Sequence, residues 1–520
     1  MKLAGKFVLM LSVAACFQAH AQEVQTNSGR ISGVKAAGSA VTVFKGIPFA
    51  APPVGDLRWR PPIAPASWTG VRKAVEFGPS CIQEPAKEML PWTAEFLIAN
   101  HVSEDCLYLN VWTPSPASPA GLPVIVFIHG GAFTGGSGEV PIYDGEHLAE
   151  RNTVIVTINY RLGALGFLAH PGLTAESQHH SSGNYALLDQ IAALQWVQAN
   201  IAGFGGDPHK VTIWGQSAGA FSVEDLIASP LASGLFARAQ ADSGIGVAGL
   251  HDVSLKTAEE AGLKFAEEHH ASSIKDLRAI PAADLLAVPQ GDLPRFYPIV
   301  DGWVLPAAPQ ELSSRGQDND VPIVTGYQAN DGLLFAPEVK TPQEFAQFTH
   351  QQLGDMAAEF DKLYPATTPE DVQKMLAQSI QDRDRVSMYL WASRRAKNHR
   401  QPTFTYYFDR AIPWPQHPEY QAFHSGELPY FFMNTKMLDR PWEKVDDTVA
   451  QVSSSYLIHF AASGNPNGVR LPEWPPVNLA RQVTMEIGST TGPMPLATKA
   501  RIDFWMRYFD SPAGRSAPPF

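Results

Sequence analysis

A short stretch at residues 211–223, VTIWGQSAGAFSV, places one serine between two glycines where a strand turns into a helix. Residues 211–214 combine β-branched and aromatic side chains, which is typical of a strand buried on both faces. Apolar residues at the spacing of one helix face follow. Gly215 and Gly219 allow a sharp turn, so Ser217 protrudes at the start of the helix. The stretch predicts an α/β architecture with an accessible hydroxyl; the alternative interpretation is a plain turn capped by serine.

A serine hydroxyl needs a neighbouring base and nearby N–H donors before it can attack a carbonyl carbon. The backbone N–H of Ala218 at the predicted helix start is one such donor. A second source is HGGAF at residues 129–133, directly after an apolar run. Consecutive glycines let backbone N–H groups face an oxyanion without interference from side chains. The simpler alternative for this motif is an ordinary glycine turn after a strand.

Strand and helix patterns alternate along much of the chain. Short β-branched runs predict central strands at 123–131, 153–163 and 321–328. Apolar residues at helical spacing predict a helix over 187–201. Residues 340–420 are rich in helix formers and are predicted to form an additional helical layer. Alternating strands and helices indicate a parallel or mixed sheet covered by helices on both sides. No polar linker or repeat divides the 520 residues, so we expect one large domain.

The N-terminus has the pattern of an export signal. Lys2 and Lys6 precede an apolar run that is too short to span a membrane, and Ala-His-Ala ends at Ala21. We therefore expect a signal peptide over 1–21, a mature domain over 22–520 and a secreted or periplasmic location. The alternative is a lipoprotein signal, in which Cys16 would carry a lipid anchor.

The charge of the chain narrows the classes of partner. The formal net charge of −12 argues against nucleic acid as a partner, because binding to nucleic acid requires clustered Lys and Arg.

Removal of the signal peptide leaves Cys81 and Cys106, an even pair for which a disulfide is the natural interpretation outside the cytoplasm. Two free thiols are the alternative. Two cysteines without a spaced histidine pair do not make a zinc site, and we expect neither a metal nor a cofactor.

Together, the motifs of this sequence resemble those of the type B carboxylesterases, with their cholinesterase and para-nitrobenzyl esterase relatives. The resemblance implies an α/β-hydrolase fold with a large, mostly parallel sheet, flanking helices and a further helical layer over an active-site gorge. It also implies hydrolysis of carboxylic esters and a bond between Cys81 and Cys106. The motifs that carry it are FKGIPFAAPPVGDLRWRPP (44–62), SEDCLYLNVWTP (103–114), HGGAFTGGS (129–137), NYRLGALGFL (159–168), the long segment 183–220, SGNPNG (463–468) and FWMRYF (504–509).

The resemblance assigns the nucleophile and the base. Ser217 occupies the nucleophile position of the family. The segment FHSGELPYFF (423–432) is similar to the one that surrounds the catalytic histidine in the family, which indicates His424 as the base. In enzymes of this type the acid and then the histidine follow the serine along the chain. A histidine in a surface loop is the alternative interpretation of His424.

The acid departs from the usual pattern. The family commonly has glutamate in this position, whereas GYQANDGLLF (326–335) offers Asp331. Either carboxylate can fix the imidazole tautomer and stabilise the imidazolium. Asn330-Asp331-Gly332 is also typical of a tight turn, and Asp301 or Glu427 would then be the next candidates.

Two further departures concern neighbours of the serine. Gln216 stands where the family often has glutamate, so one negative charge is missing. Ala132 takes the place of a third glycine in the oxyanion motif, but its backbone N–H is retained. We therefore predict Gly131, Ala132 and Ala218 as the oxyanion hole.

The sequence predicts a serine carboxylesterase that acts on small-molecule esters as a monomer or weak oligomer. An interfacial lipase and a non-catalytic, cholinesterase-like binding protein are the alternatives. In the family, loops near 90–100, 290–300 and 330–345 contribute to the pocket walls. Aromatic and apolar residues in the first two segments are consistent with a bulky or aromatic ester, although core packing would explain them equally well.

Overall fold

The computed structural model describes residues 22–85, 87–114, 121–247, 253–286, 296–336 and 338–515. The predicted signal peptide (1–21) and Cys16 lie outside these residues. Among the helices described, none is both long enough and apolar enough to cross a membrane.

The described residues form strands and α-helices that alternate over most of the chain. The strands are β1 (Glu23–Thr26), β2 (Gly29–Ser32), β3 (Val34–Lys35), β4 (Thr42–Pro48), β5 (Val71–Lys73), β6 (Ser80–Cys81), β7 (Val102–Ser103), β8 (Tyr108–Thr113), β9 (Leu122–Ile128), β10 (Val154–Ile158), β11 (Gly206–Gln216), β12 (Arg238–Asp242), β13 (Ile323–Gln328), β14 (Thr403–Phe408), β15 (Val483–Ile487) and β16 (Thr491–Pro495). The helices are α1 (Glu146–Ala149), α2 (Gly163–Phe167), α3 (Pro171–Glu176), α4 (Tyr185–Asn200), α5 (Ala218–Ala228), α6 (Leu255–Glu268), α7 (Ile274–Ala279), α8 (Pro309–Ser314), α9 (Pro342–Leu353), α10 (Ala357–Leu363), α11 (Pro369–Asn398), α12 (Leu428–Phe431), α13 (Lys444–Ser463), α14 (Lys499–Asp510) and α15 (Pro512–Arg515).

Eleven of these strands form one mixed sheet in the order β16-β15-β14-β13-β12-β11-β9-β10-β8-β4-β3. The strands from β15 to β10 in this order run parallel to one another, and the antiparallel pairs lie at the two ends. The predicted α/β-hydrolase fold with a large, mostly parallel sheet is confirmed.

Alternate residues of the central strands point into different cores, which explains their unbroken apolar runs. In β9, Val124 and Val126 belong to one buried cluster, together with residues of α4 and α5. Ile125 and Phe127 belong to a second cluster on the opposite face, which includes residues of α13. Because both faces are covered, neither set of side chains meets water.

Helices α9, α10, α11 and α14 build a third buried cluster outside the sheet. This is the additional helical layer that was predicted from residues 340–420. The prediction was wrong for one part of that range, because residues 403–408 form strand β14, which lies between β13 and β15 in the sheet. Their sequence, TFTYYF, is β-branched and aromatic, and all six residues are buried. Such a run favours a strand over a helix.

Cys81 and Cys106 form a disulfide, as predicted. Both cysteines are buried, and 25 positions of sequence separate them. We call residues 81–106 the disulfide loop.

Candidate active site

Ser217 lies at the C-terminal end of β11, in the turn before α5. Its backbone has φ +57° and ψ −126°, a strained conformation for a residue with a side chain. The flanking glycines make this turn possible. A Cβ on Gly215 would lie 2.1 Å from the carbonyl oxygen of Gly219, and one on Gly219 would lie 2.0 Å from that of Ile128. Ser217 is also the one partly exposed residue between positions 211 and 229, so the turn presents its side chain.

Asp331 and His424 are brought together by two loops that pair with each other. Asn330, which follows β13, forms an isolated parallel bridge with Phe423. The next residue of each loop is therefore Asp331 on one side and His424 on the other. His424 Nδ1 donates a hydrogen bond to Asp331 Oδ1, and both side chains are buried. The backbone N–H of Gln328 donates to the other carboxylate oxygen at 3.2 Å, which fixes the orientation of Asp331.

The second imidazole nitrogen of His424 faces the segment that carries Ser217. Gln216 Nε2 lies 3.3 Å from His424 Nε2. Because Nδ1 carries the hydrogen directed at Asp331, Nε2 is an acceptor, the form that a general base requires. Trp92 lies beside the same ring, edge-on at 6.4 Å between centroids, and its Nε1 donates to Ser425 Oγ at 3.4 Å.

The glycine motif after β9 forms a tight turn beside Ser217. Gly131 O accepts hydrogen bonds from the N–H groups of Thr134 and Gly135, both at 2.9 Å. The backbone φ is +110° at Gly131 and +53° at Ala132. Within the described part of the chain, the N–H groups of Gly131 and Ala132 donate to no protein acceptor. These two groups, with the N–H at the start of α5, can receive an oxyanion.

Several carboxyl groups are buried behind the site. Burial raises the pKa of Asp242, at the end of β12, to about 7. Its backbone oxygen accepts from the N–H of Ser217 at 2.9 Å, so this strand end also supports the serine turn. Burial, with the charges of Asp242 and Asp331 adding to it, holds the pKa of Glu427 well above its usual range. Burial lowers the pKa of His129 in the glycine motif to about 4, so this ring is neutral at pH 7.

A cavity of about 570 Å³ opens onto Ser217 and His424. Most of its wall comes from the disulfide loop and the glycine motif. Of the three segments expected to contribute to the wall, the one near 90–100 does so. The parts of 290–300 and 330–345 that the structure describes contribute no lining residue. The cavity is lined by Gln83, Glu84, Lys87, Met89, Trp92, Phe96, Leu97, Ile98, Gly130, Gly131, Ala132, Thr134, Gly135, Gly136, Tyr143, Gln216, Ser217, His424 and Ser425.

The structure brings together the candidate nucleophile, base and oxyanion donors at one cavity, with Asp331 buried behind His424. The alternative acid Asp301 instead accepts from Ser181 Oγ at 2.6 Å and lines a separate cavity. Among the described residues, no group of histidine, cysteine and acidic side chains is arranged to hold a metal ion. Sequence reasoning missed Gln83. Its position two residues after a paired cysteine, in a loop closed over the site, is the signal that could have identified it.

Comparisons with a family model, with individual proteins and with solved structures all indicate the same family. The model of the carboxylesterase family matches residues 20–505. A fumonisin B1 esterase of Sphingopyxis macrogoltabida is 37% identical over 90% of this chain and 86% of that protein. A para-nitrobenzyl esterase of Bacillus subtilis (strain 168) is 35% identical over 90% of this chain and 95% of that protein. A solved structure titled PNB esterase superposes with a TM-score of 0.78 at 30% sequence identity, covering 93% of this chain and 99% of that one.

Proposed function

We propose that this chain, which belongs to the carboxylesterase family and is a carboxylic ester hydrolase, works through an acyl-enzyme on Ser217. His424 acts as general base and then general acid, and Asp331 orients the imidazole. The observation that carries this proposal is the pairing of Asn330 with Phe423, because it sets the buried carboxylate against the base.

The proposed reaction has two halves. His424 Nε2 takes the hydroxyl proton of Ser217 as the serine oxygen attacks the ester carbonyl carbon. The resulting oxyanion is held by the N–H groups of Gly131, Ala132 and Ala218. The imidazolium protonates the alcohol oxygen as it leaves. His424 then removes a proton from water, which attacks the acyl-enzyme. As the bond between the acyl carbon and Ser217 Oγ breaks, the imidazolium returns that proton to Oγ, which releases the carboxylic acid and restores the Ser217 hydroxyl.

The cavity walls favour esters with a bulky apolar part. Met89, Trp92, Phe96, Leu97 and Ile98 give one side of the cavity an apolar surface. At about 570 Å³, the cavity falls within the range of small-molecule sites. The charged residues Glu84 and Lys87 are exposed. We propose aryl or medium-chain esters as the substrate class, in keeping with the small-molecule esters that the family hydrolyses.

The serine assignment is tested with p-nitrophenyl acetate and the variant Ser217→Ala. We expect the variant to lose at least about 10³-fold in kcat, because it lacks the hydroxyl on which the proposed acyl-enzyme forms. Ser229→Ala is the matched control, since it removes a buried hydroxyl at the far end of the same helix. Full activity in Ser217→Ala would overturn the proposal.

A chain-length series of p-nitrophenyl esters separates an esterase from a lipase. For an esterase we expect the highest kcat/KM with short or medium chains below their solubility limit, and no rise in rate when an interface forms. The variant Trp92→Ala should lose more activity with aryl esters than with acetate, because it removes an aromatic wall of the cavity. A rate that rises only above the solubility limit of long-chain esters would favour the lipase.

We propose a secreted or periplasmic location, with cleavage before Gln22. The small-x-small pattern ending at Ala21 supports this. Gln22 itself is held by the fold, since its carbonyl oxygen accepts from the N–H of Gly33 at 2.9 Å. N-terminal sequencing of the exported protein should begin at Gln22. A lipid-modified Cys16 as the first residue would contradict this proposal.

A further inference from the structure

Gln83 connects the disulfide loop to the glycine motif beside the serine. Its Nε2 donates to the carbonyl oxygen of Gly136 at 2.8 Å, and its Oε1 accepts from the N–H of the same residue at 2.9 Å. The remaining hydrogen on Nε2 is directed at the carbonyl oxygen of Cys81 at 3.0 Å. The side chain is buried, and all three bonds require a carboxamide. Its polar atoms are therefore engaged by backbone groups.

The segment that Gln83 holds is strained. Ala132 and Phe133 have φ values of +53° and +60°, which residues with side chains rarely adopt. Gly136, with φ +102°, closes the segment. Such conformations persist only when the surrounding structure enforces them. Strand β9 fixes one end of the segment, and the two-way pair with Gln83 fixes the end at Gly136.

We propose that Gln83 is a positioning residue for the oxyanion hole. It acts through Gly136 and keeps the N–H groups of Gly131 and Ala132 aimed at the place where the carbonyl oxygen becomes negative. This inference rests on the proposed function, since it assumes that these groups serve the reaction at Ser217. A displacement of such donors by about 1 Å is enough to lower the rate by about 10²-fold.

The test compares Gln83→Met with Gln198→Met. Gln198 is a matched control in α4, because its Nε2 also donates to two backbone carbonyls, those of Pro208 and Leu235, at 2.8 and 2.9 Å. For Gln83→Met we expect kcat to fall by about 10²-fold while KM changes less than about threefold. For Gln198→Met we expect no change in kcat. Gln83→Glu, which keeps the shape but loses both donors when ionised, should behave like Gln83→Met and provides a second variant if that one does not fold.

The decisive readout is the inhibition constant of an aryl trifluoromethyl ketone, which forms a tetrahedral adduct with an oxyanion. In the Gln83 variants we expect this constant to rise by the same factor as kcat/KM falls. Binding of an uncharged ketone that forms no adduct should not change. A purely structural role would lower the stability and leave the ratio of the two inhibition constants unchanged, and that result would overturn the inference.

The same experiment distinguishes failure of this inference from failure of the proposed function. Folded Gln83→Met should still react at Ser217 with an aryl fluorophosphonate to one adduct per molecule, only more slowly. If Ser217→Ala retained full activity, the proposed function itself would be wrong. If Ser217→Ala were inactive while Gln83→Met kept wild-type kcat and inhibitor affinity, only the role of Gln83 would be wrong.

Discussion

The conformation of Ser217 is possible because Gly215 and Gly219 have no Cβ atom. Two glycines allow the carbonyl oxygens of Gly219 and Ile128 to approach positions that a Cβ would otherwise fill. The positive φ of the serine is the cost of directing its side chain away from the strand and toward the cavity. A conformation that is unfavourable by itself is thus held by close backbone packing on both sides.

Asp331 is the residue whose role most needs a direct test. Asp331→Asn keeps the shape but favours the wrong imidazole tautomer, so kcat should fall by about 10⁴-fold, as in other triads. Asp331→Glu should retain much more activity, because it restores the residue that the family commonly uses. Steady-state kinetics with p-nitrophenyl acetate measures both effects. A loss of less than about tenfold in Asp331→Asn would make this residue a turn former only, and Glu427 would become the candidate acid.

For single residues, the sequence predicts roles that depend on contiguous motifs, but it does not predict contacts between residues far apart in the chain. Ser217 could be identified from its own turn, since strand, glycines and helix are contiguous. The partnership of Asp331 with His424 spans 93 positions and depends on a pairing of two loops, so it came only from the family resemblance. Gln83 carries no motif. Its one signal in the sequence is its position two residues after a paired cysteine, and its bonds to Gly136 join segments that lie 53 positions apart.

Helix α5, which follows the serine turn, carries two buried acids, Glu224 and Asp225. Burial, reinforced by the charge of Asp318, raises the pKa of Glu224 to about 8. The folded state therefore keeps the proton that the unfolded chain releases above about pH 4.5. Stability from this group is fully present below pH 4.5 and is lost as the pH rises toward 8.

The variant Glu224→Gln tests this pH dependence. Because glutamine does not titrate, the variant should gain stability relative to the wild type between pH 5 and pH 8, by at most about 1.4 kcal/mol per pH unit. Urea unfolding at pH 5, 6.5 and 8 measures the difference. Glu260→Gln, an exposed position in α6, should show no such trend. Parallel pH profiles for Glu224→Gln and the wild type would contradict the account of α5.

The disulfide loop contributes more of the described lining residues to the cavity at Ser217 than any other segment. It supplies eight of the described lining residues, and Gln83 is one of them. In a chain-entropy estimate, closing a loop of this length stabilises the fold by about 3.5 kcal/mol. The double variant Cys81→Ala/Cys106→Ala should lose that amount in urea unfolding. Activity should fall more for aryl esters than for acetate, and equal losses for the two substrates would contradict the role of the loop as a wall.

Strand β14 shows where prediction of elements fails. Residues 403–408 lie directly after the long helix α11, and the helix-forming composition of the whole range concealed a six-residue strand. The strands 123–131, 153–163 and 321–328 were predicted because their runs are short, apolar and β-branched. In the structure these strands span 122–128, 154–158 and 323–328, so the first two end three and five residues earlier than predicted, where the backbone leaves the sheet.

For the whole molecule, the parallel order of the sheet explains why distant residues meet. Ser217 and Asp331 follow β11 and β13, and Asp242 is the last residue of β12. These three strands are neighbours in the sheet and run in the same direction. Their C-terminal ends share one edge, where sites in open α/β sheets form. The α/β class was predictable from alternating patterns, whereas the strand order depends on packing between segments far apart in sequence. The division at residue 22 stays a prediction.

The proposed reaction requires Ser217 to be an activated nucleophile. The most direct measurement is intact-mass analysis after reaction with an aryl fluorophosphonate, followed by peptide mapping. We predict one adduct per molecule, located on Ser217, with activity falling in proportion to labelling. We also predict no adduct in Ser217→Ala. An active protein that takes up no adduct, or an adduct on another residue that accounts for the lost activity, would contradict the proposed reaction.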